Sequence, residues 1–455
     1  MTYPETIQYL ESFINYEKIP AYPYKESLKL GRVNDFLETI CNPQDSLKCI
    51  HIAGTKGKGS TCAFIAYILR QAGYKVGLYT STHLSDFRER IRILSPAPKT
   101  EHQKLDFEGT ILKDDITNLV KRLKSLIQNY NRNSKYGPLS FFEVYTSLAF
   151  VYFQEKKVDF AVLETGLGGR LDATNVVNPL ITSITSISYE HTQKLGNTLK
   201  EIATEKAGII KCRRPSSVVR RPSIVISAPQ EEEEMEVIRN RCDEVGARLY
   251  EVDKDITYKG TKDGFAVNGI FGEYPDLKIR LLGKHQLINA TVALGVIEAL
   301  RFYNINVGID AIKDGLYNTV WPGRCEVISG DPLVVLDGAQ NIASIKALKE
   351  TIKENFKYKR LVLILGISND KDIQGICQEL YDLADEIVLT KANNPRATGP
   401  KVLAQYFLGK EVHITNSVRE AGNLVYRLMQ KEDLILVCGS LFVVGEYRLL
   451  FKGTG

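Results

Sequence analysis

Residues Gly54-Thr55-Lys56-Gly57-Lys58-Gly59-Ser60-Thr61 have the types and spacing to hold a triphosphate. Three glycines let backbone N–H groups approach an anion closely. Lys58 offers a charge to the outer phosphates, and Ser60 or Thr61 an oxygen for magnesium. A standard phosphate-loop sequence places Ser or Thr directly after the Gly-Lys pair, whereas here Gly59 intervenes. A ligand-free glycine turn is the competing reading. The flanks favour phosphate: Cys49–Ile52 is a short apolar strand-like run, and Cys62–Leu69 has helical amphipathy. The chemistry implied is the use of a nucleoside triphosphate.

Three further segments end apolar runs in polar residues, where strands of an open α/β sheet present ligand groups. They are Tyr79-Thr80-Ser81-Thr82-His83-Leu84, Leu163 to Asn175, and Ser188-Tyr189-Glu190-His191-Thr192. Ser81, Glu164 and His191 could converge on one hard cation with some waters, as magnesium prefers. Histidine is an unusual magnesium ligand. By itself His191 reads as a capping residue, and Glu164 as an ion-pair partner.

Strand-like and helix-like runs alternate along most of the 455 residues, which predicts parallel sheets covered by helices in at least two domains. Phe160–Glu164 and Leu180–Ser188 read as strands, and Thr198–Lys211 and Gln286–Tyr303 as helices. Residues 95–138 read as a polar surface excursion, and Glu231–Glu234 as a solvated helix start. Trp321-Pro322-Gly323 interrupts the pattern, placing a boundary at 318/319. Beyond it, strands at Leu333–Leu336, Leu361–Leu365, Ile387–Thr390 and Leu434–Val437, with a helix at Ile342–Asn355, read as a smaller doubly wound domain.

Composition excludes several classes. Net charge is +5, slight for this length, and the pairs Arg213-Arg214 and Arg220-Arg221 read as a solvated loop, so no nucleic-acid partner is expected. Eight cysteines lack any Cys-x-x-Cys spacing, which argues against structural zinc and disulfides and for a reducing compartment. Met1–Asn15 has no signal-peptide character and no run is long enough to span a membrane, so a cytoplasmic protein is expected.

Together these residues resemble the folylpolyglutamate synthase and dihydrofolate synthase family, a branch of the Mur ligase superfamily. The likeness runs through His51–Ser60, Tyr79–Leu84, Leu163–Asn175, Glu190–Thr192 to Glu205–Lys211, His285–Asn289, Trp321–Arg324, Leu336–Asn341 and Gly439–Glu446. It implies an α/β fold: a phosphate-loop domain with a mostly parallel sheet over 1–318, then a smaller Rossmann-like domain over 319–455. It implies an ADP-forming ligase that activates a carboxylate as an acyl phosphate and joins it to glutamate. Dihydropteroate, reduced folates, or both would be acceptors, with bifunctionality expected.

The resemblance also implies roles. Thr55, Lys56, Gly57, Lys58, Gly59 and Ser60 would hold ATP, with Asn289 near the base and Arg324 and Asp337 reaching the nucleotide from the linker and second domain. Ser81, Glu164 and His191 would bind magnesium. Lys206 would be carbamylated and support a second metal; a monovalent cation is a further expectation. Catalysis would rest on Lys58, Lys206 and His191. Apart from the family match, Lys206 reads as a surface lysine. Lys29-Leu30-Gly31, Ser140-Phe141-Phe142-Glu143 and Leu171-Asp172-Ala173 align with dihydropteroate-contacting segments, although two phenylalanines on a helix read equally as core. One departure is Gln340, which stands where the family usually has His and cannot take up a proton near neutral pH. A monomer acting on small molecules is expected. A Mur-type ligase for another carboxylate is disfavoured by Gly59 and the Leu167–Asp172 run. A non-catalytic nucleotide module is disfavoured by Lys58, Glu164, His191 and Lys206.

Overall fold

The computed structural model describes residues 1–19, 22–96, 107–212, 222–261 and 263–452. The arginine pairs at 213–214 and 220–221, and residues 97–106 of the polar stretch, lie outside the described residues. The chain forms two compact units. One comprises Met1–Thr82, Arg88–Arg280 and Gln286–Thr319; the other comprises His83–Phe87, Leu281–His285 and the chain from Val320 on.

In the first unit, seven strands form one sheet: β1 (Cys49–Ala53), β2 (Val76–Tyr79), β3 (Ile91–Leu94), β4 (Phe160–Glu164), β5 (Ile181–Ile184), β6 (Ile224–Ser227) and β7 (Arg248–Glu251). Their order is β3-β2-β4-β1-β5-β6-β7. All pairings are parallel except β2 with β3. Residues 49–53 and 160–164 are buried throughout, as strands covered on both faces must be. Register aligns Ile52 with Glu164 and with Ser183, and Tyr79 with Leu163, so the polar tips of β1, β2, β4 and β5 emerge at one edge. A separate antiparallel sheet, ordered β10-β9-β8, comprises β8 (Thr257–Thr261), β9 (Gly264–Asn268) and β10 (Glu273–Leu277). The buried Glu298 carboxylate closes its turn, accepting the amides of Ile270 and Phe271 at 2.6 and 3.0 Å.

The second unit carries β11 (Glu326–Gly330), β12 (Leu333–Leu336), β13 (Arg360–Leu365), β14 (Glu386–Leu389), β15 (Glu411–Ile414) and β16 (Asp433–Cys438). They are ordered β11-β12-β16-β13-β14-β15, with only β11 antiparallel. Its core gathers Leu361, Leu363, Leu365, Ile387 and Leu389 against Ile345, Leu348 and Ile376.

Some expectations are corrected. The stretch 95–138 holds a 21-residue helix, Lys113–Asn133, whose Ile116, Leu119, Val120, Leu123, Ile127 and Tyr130 form a buried stripe. Its polar face hides that periodicity in the average composition. The expected strand 180–188 ends at Ile184, and its tail is an irregular loop. Six of the eight cysteines are buried, while Cys41 and Cys212 are exposed. No helix among the described residues is long and apolar enough to cross a membrane.

The helix Ile309–Asn318 lies on the helix Lys58–Gln71 through Gly315, where a Cβ would stand 2.4 Å from the Ile68 Cα. Alanine has the better helix propensity by about 1 kcal/mol, but a backbone obstacle yields little. Gly315→Ala should therefore lose a net ~1–2 kcal/mol, read as a lower melting temperature. His51 is fully buried, Nε2 pairing with Thr174 Oγ1 at 2.8 Å, and burial, aided by Lys211, lowers its pKa to about 3. The unfolded chain takes up this proton first as pH falls through about 6.5. His51 should thus add a stability loss that starts near pH 6.5 and steepens to ~1.4 kcal/mol per pH unit below it. The slope of stability against pH between 6.5 and 5 should flatten in His51→Gln.

Candidate active site

The loop after β1 is built around two glycine conformations. Gly57, at φ +85°, starts the helix Lys58–Gln71, and a Cβ there would strike Asn289 Oδ1 at 2.1 Å. Gly54, at φ +147°, leaves no room beside Thr185 Oγ1, 1.9 Å from where a Cβ would be. The amides of Thr55 and Lys56 donate to the Ser186 carbonyl at 2.9 and 3.0 Å. Thr55 Oγ1 also bonds both the carbonyl and the amide of Ser188 at 3.1 Å. The first half of the loop is thus fastened to the segment after β5. The helix itself begins without a side-chain cap, so its first-turn N–H groups suit an anion.

Two lysines meet on one backbone oxygen. Lys58 Nζ donates to the Gly54 carbonyl at 3.1 Å, and Lys206 Nζ donates to the same oxygen at 2.7 Å. Lys206 is buried on the helix Leu199–Ala207. Desolvation, then repulsion from Lys58, lowers its pKa to about 7, with Glu190 opposing and Lys56 adding to the shift. Lys56 Nζ pairs with Glu190 Oε1 at 3.2 Å.

Of the expected metal residues, Ser81 and Glu164 come together: the Ser81 amide donates to the buried Glu164 carboxylate at 3.1 Å. Beside Glu164, the Thr165 hydroxyl is buried without a hydrogen-bond partner. Carboxylate and hydroxyl oxygens are the donors a hard cation takes, so this set fits magnesium. His191 lies on the loop after β5, at the same sheet edge. It has φ +53°, heads the short helix Thr192–Leu195 and is exposed.

The residues expected against dihydropteroate divide in two. Ser140 and Glu143 form a capping box for the helix Phe141–Glu155. Glu143 also holds Arg32 in a buried ion pair, accepting Nη2 at 2.8 Å and Nε at 2.9 Å. Asp172 accepts the amides of Gly166 and Leu167 at 2.9 Å, and the amide and hydroxyl of Thr174 at 3.0 and 2.5 Å. Burial raises its pKa against those bonds. These carboxylates hold loops in shape. Phe141 is buried, stacked on Tyr145 at 5.5 Å, and Ala173 is buried too. By contrast Phe142 is half-buried. Its ring lies 6.0 Å from that of Tyr79, and a Gly166 Cβ would stand 2.6 Å from it. Leu171 is half-buried; exposed Lys29 and half-buried Leu30 and Gly31 open the helix Leu30–Thr39.

In the second unit, Asp337 follows β12 and accepts the amides of Cys325 and Ala339, each at 2.7 Å. Desolvation raises its pKa, with Arg324 opposing. The Arg324 guanidinium lies over Gly338, where a Cβ would be 2.6 Å from Nη1. Burial lowers the pKa of His285, with Asp337 opposing and Arg324 adding to the shift. Gln340 donates its amide to Ser344 Oγ at 3.1 Å. Sequence reasoning gave no role to Ser186, Glu190, Glu205 or His285. Glu190 and Glu205 had a local signal, adjacency to His191 and to Lys206.

Comparison with known proteins bears on the whole chain. Residues 52–297 match the Mur ligase middle domain, and residues 323–441 the glutamate ligase domain of Mur ligases. The dihydrofolate synthase/folylpolyglutamate synthase of Bacillus subtilis is 33% identical over 436 residues, covering 93% of this chain and 95% of that protein. Its Escherichia coli counterpart is 32% identical over 399 residues, covering 87% and 84%. Among solved structures, Mycobacterium tuberculosis folylpolyglutamate synthase complexed with ADP superposes with a TM-score of 0.86 at 29% identity, covering 100% of this chain and 98% of that one. Escherichia coli FolC in complex with DHPP and ADP gives 0.83 at 28%, covering 99% and 98%. With the phosphate loop, the two lysines and the sheet edge already in place, these likenesses make the chain a member of the folylpolyglutamate synthase/dihydrofolate synthase branch of the Mur ligase family.

Proposed function

We propose that this chain is an ADP-forming ligase that joins the amino group of L-glutamate to the carboxylate of dihydropteroate and of reduced folates. The observation that carries the reading is the convergence of Lys58 and Lys206 on the Gly54 carbonyl, beside a helix start that suits phosphate. The dual name of the Bacillus subtilis relative supports both acceptors.

The chemistry needs positioning more than it needs a nucleophilic side chain. A carboxylate oxygen of the acceptor attacks the γ-phosphorus, the bond to the bridging oxygen breaks, and ADP leaves. The neutral glutamate amine then attacks the acyl carbon. Phosphate departs with the C–O bond's electrons, and the amine gives up its proton. Lys58, released from the loop carbonyls, neutralises the transferring oxygens, while the loop amides and Ser60 fix the phosphate chain. Asn289, packed against Gly57, is assigned to the nucleotide base on its motif. Arg324 and Asp337 are assigned to the nucleotide on their motif. Ser81, Glu164 and His191 would hold magnesium, which when bound supplies charge neutralisation to the phosphates.

Lys206, with its pKa near 7, has an uncharged amine available to combine with carbon dioxide. The carbamate, formed with loss of one proton, would put an anion where a lysine cation stood and would give a second metal a ligand. Phe142, Leu171 and the helix start at Lys29–Gly31 are the acceptor contacts; Ser140, Glu143 and Asp172 hold the neighbouring loops in place. Residues 1–318 form the nucleotide and folate portion, and 319–455 the smaller C-terminal portion. The enzyme is read as a cytoplasmic monomer, and its cysteine usage fits that compartment.

Purified protein given Mg-ATP, glutamate and either dihydropteroate or a reduced folate should release ADP and yield products heavier by glutamyl units in mass spectrometry. ADP release with neither acceptor, but with another carboxylate such as a UDP-sugar peptide, would refute the substrate assignment. In Lys58→Ala, kcat should fall by roughly a thousandfold, and turnover near the wild-type level would refute the loop assignment.

A further inference from the structure

Glu205 precedes Lys206 on the same helix and is nearly buried, yet the reaction above leaves it without a task. Its Oε1 accepts Arg170 Nη2 at 2.7 Å and Nε at 3.2 Å. Its Oε2 accepts the Tyr24 hydroxyl at 3.3 Å, and its carbonyl accepts the Arg170 amide at 2.8 Å. One residue thus joins three pieces of chain.

The fit between those pieces is close. A Cβ on Gly169 would lie 2.8 Å from the Glu205 carbonyl oxygen and 2.9 Å from that of Lys206. A Cβ on Gly208 would lie 2.4 Å from the Arg170 Cβ. The buried Tyr24 hydroxyl stands 2.7 Å from where a Gly168 Cβ would be. That single phenol therefore touches both the glycine loop and the Glu205 carboxylate. Tyr24 begins the short helix Tyr24–Ser27, which leads directly into Lys29–Gly31.

We infer that Tyr24 and Glu205 are positioning residues. With Arg170 they fix the last turn of the helix Leu199–Ala207, so that the Lys206 amine meets the Gly54 carbonyl, and they tie that turn to the segment entering the acceptor pocket. A helix end carries unsatisfied carbonyls and frays unless held. Here Gly208 caps the end through its amide, which donates to the Thr204 carbonyl at 3.2 Å, and the charge-assisted pair with the phenol holds the capped turn against its neighbours. Small displacements of a catalytic group weaken turnover far more than they weaken substrate binding.

This inference rests on the assignment of Lys206 to the site, and the experiment separates the two. Steady-state ADP formation is measured for wild type, Tyr24→Phe, Glu205→Gln and Lys206→Ala, with ATP and folate varied in turn and bicarbonate low or high. Tyr24→Phe and Glu205→Gln should lose roughly ten- to a hundredfold in kcat, with KM for ATP within about twofold of wild type. High bicarbonate should restore part of that loss while leaving wild type unchanged. A lowered melting temperature with wild-type kcat in both variants would reduce the contacts to packing and overturn the inference. Tyr24→Phe removes a single oxygen and carries the test even where Glu205→Gln does not purify folded. Inactive Lys206→Ala beside fully active Tyr24→Phe and Glu205→Gln would overturn positioning only. Active Lys206→Ala would overturn the assignment beneath it.

Discussion

A single backbone oxygen organises this site. The Gly54 carbonyl accepts both Lys58 and Lys206, at 3.1 and 2.7 Å, so the two amine nitrogens lie within about 6 Å of each other. Two ammonium groups at that separation repel by about 3 kcal/mol at an effective dielectric near 20. Lys206 is buried, so desolvation disfavours its charge further, while Lys58 stays partly open. The burden therefore falls on Lys206, which gives up its proton near neutrality. Lys58 is left at the partly open mouth of the loop, and the Lys206 amine lies buried behind it.

That division depends on the backbone reaching places side chains would occupy. Gly54 must pass Thr185, and Gly57 must pass Asn289, for the carbonyl to face both amines. The parallel register of β1, β2, β4 and β5 then delivers Ser81, Glu164 and the His191 loop to the same edge. Lys206 arrives on a helix pressed against the loop Gly166–Arg170, whose own shape is set by Asp172. Carboxylates do most of the holding: Glu205, Asp172, Glu143 and Asp337 each accept several bonds within the protein.

Sequence made some of this legible and hid the rest for physical reasons. The phosphate loop and the strand tips were readable because glycine spacing and apolar runs are local signals. The mostly parallel sheets followed from alternation. The helix Lys113–Asn133 was missed because its buried stripe is diluted by a charged outer face. The three-stranded sheet left no strong pattern, since its strands are half exposed. The engagement of Glu143 by Arg32 joins residues 111 positions apart, and no spacing announces it. Likewise the segments His83–Phe87 and Leu281–His285 group with the second unit by packing alone. Gln340, which departs from the family pattern, is seen here through its backbone bond to Ser344, a contact open to any residue.

Buried and crowded by Lys58, the Lys206 amine should combine with carbon dioxide, and carbon-13 NMR of the protein equilibrated with labelled bicarbonate at pH 7.5 reads that reaction. One carbamate resonance should appear in wild type, vanish in Lys206→Arg and persist in Lys58→Ala. No such resonance, or one unaffected by Lys206→Arg, would contradict it.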